Sequence, residues 1–223
     1  MADAIPMFFK QRVMTPGPVD VPPQVLLEMA QPIIHHRTKQ FQAIYAEMSQ
    51  KLAAVFRTKA PVLSIAGSGT TAFEATQISL ATPGSKVVSI AGGKFGERWQ
   101  DIYDNYAKAQ NLTNIKVNVP WGQGVSAGQV EQVLKENPGV SVVVVVHSET
   151  STASACDLKA IAAVVSKTDA LLVVDGITAV GALPVEMDAW GVDCIVDRFA
   201  EGDDASAGAG LRGGGRARGQ TAQ

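Results

Sequence analysis

From residue 62 onward, short apolar runs alternate with stretches of helical periodicity, and this rhythm leaves few architectures open. The strand-like runs are residues 62–66, 86–91, 114–119, 142–146, 171–174 and 194–196. Helical stretches lie between them at 70–80, 97–109, 126–136 and 157–167, the last with Asp157 near its start as a cap. Strands that alternate with helices imply right-handed crossovers. The predicted fold is therefore α/β: a three-layer arrangement with a mainly parallel sheet covered on both faces. Two helices precede the rhythm. One spans 21–30 and opens on Pro22-Pro23. The other carries Phe41, Ile44, Tyr45, Met48, Leu52, Val55 and Phe56 on one stripe, which is assigned to the core. Thr15-Pro16-Gly17-Pro18 is an extended loop, because its prolines fix φ and remove donors.

Composition excludes several classes of function. The chain has 223 residues, 46% of them hydrophobic and 18% charged, as expected of a globular protein with a substantial core. Its net charge is −2, and no basic stripe recommends nucleic acid or anionic lipid. Cys156 and Cys194 make neither a disulfide framework nor a zinc site, so no metal is expected and a reducing, cytoplasmic setting is the default. The longest apolar run, 142–146, is far too short to cross a bilayer. After Val196 the composition changes. Residues 197–223 hold no Val, Ile or Lys and consist mostly of Gly, Ala, Asp and Arg. Such a segment cannot bury itself and is expected to be disordered. The chain thus divides into an N-terminal arm and entrance loop (1–20), a sheet domain (21–196) and a tail (197–223).

Four strand ends carry the chemistry. The run that ends in Val174-Asp175-Gly176 puts a carboxylate at the edge where open α/β sheets bind ligands. That Asp either tightens the turn at Gly176 or faces a cationic group. Gly67-Ser68-Gly69-Thr70-Thr71 joins a strand to a helix, so free N–H groups, hydroxyls and the helix dipole can cradle a phosphate. It lacks both the P-loop ending and the dinucleotide fingerprint, and a Ser N-cap explains it equally well. Phe95, between Gly93 and Gly96, could stack on a flat ring or plug the core. His147-Ser148-Glu149-Thr150-Ser151-Thr152 crowds more polar groups into one loop than a turn and a cap require. A phosphate cup, an aromatic plate, hydroxyl donors and an acid together are what pyridoxal phosphate asks of a protein.

With these residues in place, the chain resembles the class V aminotransferases, pyridoxal-phosphate enzymes of fold type I. Within that family it resembles the alanine–glyoxylate and serine–glyoxylate aminotransferases. The resemblance covers Val13 to about Val196 and rests on Thr15-Pro16-Gly17-Pro18, His36-Arg37, the Gly67 cup, Gly93 to Arg98, His147 to Thr152 and Val174-Asp175. It implies that Ser68, Gly69 and Thr70 hold the phosphate, Phe95 stacks on the ring, Thr150 bonds the ring-hydroxyl region and Asp175 pairs with the pyridine nitrogen. It also implies an amino acid and a 2-oxo acid as substrates, an entrance lined by the Pro-Gly-Pro loop, and a homodimer.

One departure stands out. The family continues past the 194–196 strand with a Thr-Gly-Ser-Gln-Lys-like segment whose lysine forms the Schiff base. Here Val196 is followed by Asp197-Arg198-Phe199-Ala200-Glu201-Gly202-Asp203-Asp204, and the last lysine is Lys167. One extra G after the Val196 codon converts the family's reading into this one, so a frameshift is expected there. On this reading the tail is non-native and the C-terminal small domain is absent. A family strand encoded past the lysine would be missing, the 62–66 strand would stand open, and the chain would aggregate and lack useful transaminase activity. A non-catalytic cofactor-binding protein, a cysteine desulfurase relative and a phosphonate aminotransferase relative are the alternatives.

Overall fold

The computed structural model describes residues 14, 15, 17, 20–199 and 206–211. Two helices lead, α1 (Pro23–Met29) and α2 (Lys39–Phe56). The alternation follows: β1 (Val62–Ala66), α3 (Gly69–Leu80), β2 (Lys86–Ala91), α4 (Lys94–Gln110), β3 (Thr113–Asn118), α5 (Ala127–Glu136) and β4 (Val140–Val146). A two-strand ribbon, β5 (Ser148–Glu149) with β6 (Ser154–Ala155), interrupts the rhythm. Then come α6 (Leu158–Val165), β7 (Leu171–Asp175), α7 (Met187–Trp190), β8 (Cys194–Phe199) and β9 (Ser206–Leu211).

The main sheet has the order β1-β9-β8-β7-β4-β2-β3. Strands β8, β7, β4, β2 and β3 pair in parallel, and β9 pairs antiparallel with both β1 and β8. The valine run shows why the sheet is covered twice. Val142 and Val144 face one core with Ala72, Phe73, Trp99 and Tyr103 of α3 and α4. Val143 and Val145 face the other with Val130, Leu158 and Ile161 of α5 and α6. Period-2 alternation in a strand buried on both faces needs an apolar residue at every position. Each such valine contributes about 1.5–3 kcal/mol of burial.

The helices start where the sequence places their caps. Ser68 accepts from Thr71 N, Ser126 and Gln129 form a reciprocal capping box, and Asp157 Oδ1 accepts from Ala160 N at 3.0 Å. These caps fix where each chain segment turns off its strand, and so where the ligand edge begins.

Two expectations are corrected. The stripe on α2 is core only towards its C-terminal end: Phe56 is buried and Leu52 packs against the core, while Ile44, Tyr45 and Val55 stay 49%, 43% and 47% exposed. A helical stripe reports a face and not how far along the helix a partner reaches. The second correction concerns the tail. The strand expected to be missing beside β1 is present as β9, with Val62 opposite Gly210 and Ala66 opposite Ser206. Strand β8 also runs past Val196 to Phe199. Composition weighs side-chain burial, whereas a gap between two strands is filled by backbone pairing, which Gly, Ala and Ser supply as well as any residue. The remaining tail residues, and most of the arm at 1–20, lie outside the described residues.

If β9 fills the gap, β8 is paired on both edges and β1 on its inner edge. Hydrogen exchange read by mass spectrometry is expected to show β1 peptides exchanging as slowly as those of β3, also an edge strand. Complete exchange of β1 within seconds would count against the pairing.

Candidate cofactor-binding site

The parallel strands end together, so Gly67, Gly92, His147 and Asp175 reach one edge of the sheet, where the helices that follow them begin. Asp175 closes β7, is 4% exposed, and carries a carboxylate held from two sides. Trp99 Nε1 donates to Oδ2 at 3.3 Å and Ile177 N donates to Oδ1 at 3.2 Å. Burial pushes its pKa up to about 7; the nearby carboxylates Glu149 and Asp197 add to the rise, and the two donors oppose it. Asp197, in neighbouring β8 one residue past the Val196 that pairs with Asp175, is likewise pushed by burial up to about 7. The turn-bracing reading of Asp175 is present in the bond from Ile177 N, and the carboxylate is buried with no cationic side chain paired to it among the described residues.

Trp99 was not singled out from the sequence. Its position offered a signal, since it lies four residues after Phe95 on α4 and so on the same helical face. Its ring stacks on Phe73 with centroids 4.3 Å apart, which joins the Asp175 brace to α3.

The crowded loop divides its labour. Glu149 is buried and turns back onto the start of α4. Its Oε2 accepts from Phe95 N at 3.1 Å and Gly96 N at 3.0 Å, and its Oε1 accepts from Ser151 Oγ at 2.6 Å. It therefore caps a helix more than fifty residues earlier. This contact requires Gly93, where a Cβ would lie 2.5 Å from Glu149 Cγ. Phe95, fixed by that cap, is half-buried with the Arg98 guanidinium 5.2 Å from its ring centre. Thr150 Oγ1 donates to Thr178 Oγ1 at 3.1 Å, and Thr178 Oγ1 donates to Ser148 O at 2.7 Å. Thr178, also not anticipated, thus ties the loop to the Asp175 turn. His147 is buried with Nδ1 unpartnered, and desolvation lowers its pKa, so it remains neutral.

At the cup, Ser68 Oγ accepts from Thr71 N at 3.3 Å, so the capping role weighed from the sequence is present. The first turn of α3 still presents the N–H groups of Gly69 and Thr70 towards the same edge. Among the described residues, no lysine follows β8 where the resemblance calls for one. The lysine adjacent to a site residue, Lys94, bonds Glu97 at 2.7 Å and lies 5.3 Å over the Trp121 ring.

The profile of the class V aminotransferases matches residues 25–197, and the chain belongs to that family. It is 38% identical over 190 residues to the soluble hydrogenase small subunit of Synechococcus sp., covering 83% of this chain and 48% of that protein. It is 31% identical over 195 residues to the L-aspartate–glyoxylate aminotransferase of Paracoccus denitrificans, with 85% and 48% covered. Among solved structures, the alanine–glyoxylate aminotransferase of Nostoc sp. superposes with a TM-score of 0.84 at 27% identity, covering 94% of this chain and 56% of that one. The chain spans about half the length of the curated relatives it matches.

Pyridoxal phosphate is the cofactor of this family. The buried, strained charge of Asp175 suits its pyridinium nitrogen, and Phe95 and the α3 start suit its ring and phosphate. The fit is for non-covalent binding, because the chain has no lysine in the segment after Val196 where the family forms its Schiff base.

Two measurements probe this geometry. Replacing Glu149 by Gln weakens two charge-assisted caps, so Glu149→Gln is expected to cost about 1–3 kcal/mol of stability in denaturant titration. For Asp175, a folded-state pKa near 7 against 3.8 unfolded means that the folded state holds the extra proton. Stability is then fully present below about pH 4 and lost as pH rises to about 7. The fall in Tm between pH 4 and 7 should shrink in Asp175→Asn, with Asp197 accounting for what remains.

Proposed function

We propose that this chain is the cofactor-binding part of an aminotransferase whose intact parent moves the amino group of alanine or serine to glyoxylate or pyruvate. The observation that carries the reading is Asp175, a buried carboxylate pushed up to about 7 at the meeting point of the other strand ends. The glyoxylate aminotransferases among the relatives support the acceptor.

In this reading Ser68, Gly69 and Thr70 hold the phosphate, Phe95 covers one face of the ring, Thr150 bonds the ring-hydroxyl region through the oxygen whose proton goes to Thr178, and Asp175 keeps the ring nitrogen protonated. When bound, the cofactor supplies an electron sink for the carbanion at the substrate's α-carbon. The chain's own groups bind and orient. Trp99 and Ile177 aim the Asp175 carboxylate, and Glu149 fixes the helix start that carries Phe95. The proton shuttle at the α-carbon has no carrier here, because the general base of the family is its lysine. The chain as written is therefore inactive, and a single-base insertion after the Val196 codon accounts for its tail.

The exposed Val25, Leu26, Leu27, Met29, Ile44 and Tyr45 of α1 and α2 support a homodimer in the parent, with this apolar face as the buried contact. A second reading, a non-catalytic cofactor-binding protein, is favoured by β9, which completes the sheet without any lysine.

Alanine or serine with glyoxylate is expected to give no turnover above background with this chain. A version read in the original frame after Val196, and carried through the full parent, should turn over at ordinary enzyme rates. Added pyridoxal phosphate should dialyse away even after borohydride treatment. Turnover by the chain as written, or a borohydride-fixed adduct on it, would defeat the inactive reading.

A further inference from the structure

Arg198 is a residue that the resemblance does not supply, since it stands where the family has the Gly of its Thr-Gly-Ser-Gln-Lys segment. Its place in the sheet is fixed by β8. Cys194 and Val196 face the core under α3 and α4, so Arg198, two further on, shares their face. Asp197 shares the other face with Ile195, and its Oδ1 accepts from Arg198 N at 2.8 Å, which pins the backbone there. The stem of Arg198 comes to the start of α3: its Cδ lies 4.0 Å from where a Cβ on Gly69 would stand. Ile177, in the turn that Asp175 braces, lies beside the same point at 2.8 Å.

The side chain is exposed, and no carboxylate pairs with it among the described residues. A guanidinium at this spot adds positive charge to the positive end of a helix dipole. That arrangement is unfavourable alone and becomes favourable when a dianion lies between the two. The planar fork of Arg suits a phosphate monoester, whose oxygens it can bond in pairs.

We propose that Arg198 is a phosphate ligand of the α3 cup, adding a side-chain cation to the hydroxyls and N–H groups of Ser68, Gly69 and Thr70. The assignment rests on the reading of that turn as the cofactor's phosphate cup. It gives a chain without a covalent anchor an electrostatic one.

The test is calorimetric titration of the full chain, Arg198→Gln and Arg198→Lys with pyridoxal phosphate, with pyridoxal and with inorganic phosphate, at two ionic strengths. Arg198→Gln is expected to weaken pyridoxal phosphate about tenfold, to leave pyridoxal unchanged, and to flatten the salt dependence. Arg198→Lys should recover part of the affinity, because the charge remains while the fork is lost. Equal affinity of the unmodified chain and Arg198→Gln for pyridoxal phosphate overturns the role of Arg198 and leaves the cofactor reading standing. Arg198-dependent binding of inorganic phosphate without binding of pyridoxal phosphate supports the anion site and overturns the cofactor reading. Failure of the unmodified chain to bind either ligand overturns both.

Discussion

A parallel sheet buried on both faces has little place for a charged side chain except at the ends of its strands. Everything distinctive here follows from that constraint. Val142 to Val145 spend every position on packing, two into each core. The first strong polar groups appear where β4 and β7 stop, at His147, Glu149 and Asp175. The sheet thus collects its polar groups along one edge, and the helix starts supply positive potential there to meet them.

The carboxylates at this edge differ in what they are paired with. Glu149 is saturated by the N–H groups of α4 and the hydroxyl of Ser151, and it serves to hold Phe95 in place. Asp175 receives only an indole and one backbone N–H, both near the limit of a good hydrogen bond, and it has Asp197 for a neighbour. The same residue type is inert in one setting and unsatisfied in the other. On the proposed function, a cationic ring nitrogen is what Asp175 would take and Glu149 does not need.

Much of this was legible from the sequence. Strands β1 to β4 and β7, and the helices between them, follow from apolar periodicity, which local chemistry writes directly. Asp175, Phe95, Thr150 and the α3 start were legible as strand-end residues. Two kinds of information were not. Pairing across the chain leaves no local trace: β9 looks like filler because its backbone does the work, and Glu149 looks like a reacting group because its partners lie in α4. How far a partner reaches leaves no trace either, so α2 reads as a core helix although Ile44, Tyr45 and Val55 of its stripe are exposed. Trp99 fell between these cases, since its helical spacing from Phe95 was visible but its indole bond to Asp175 required the fold.

Strand β9 carries a wider consequence. Its residues pair through peptide groups that every amino acid shares, so the slot between β1 and β8 accepts almost any extended segment of the right length. Cellular surveillance recognises frayed edges and exposed cores, and this sheet presents neither at that slot. On the proposed reading, a chain altered beyond Val196 keeps a paired sheet while lacking the family's lysine. Architecture and chemistry are insured separately in this fold, and damage to the second need not be reported by the first.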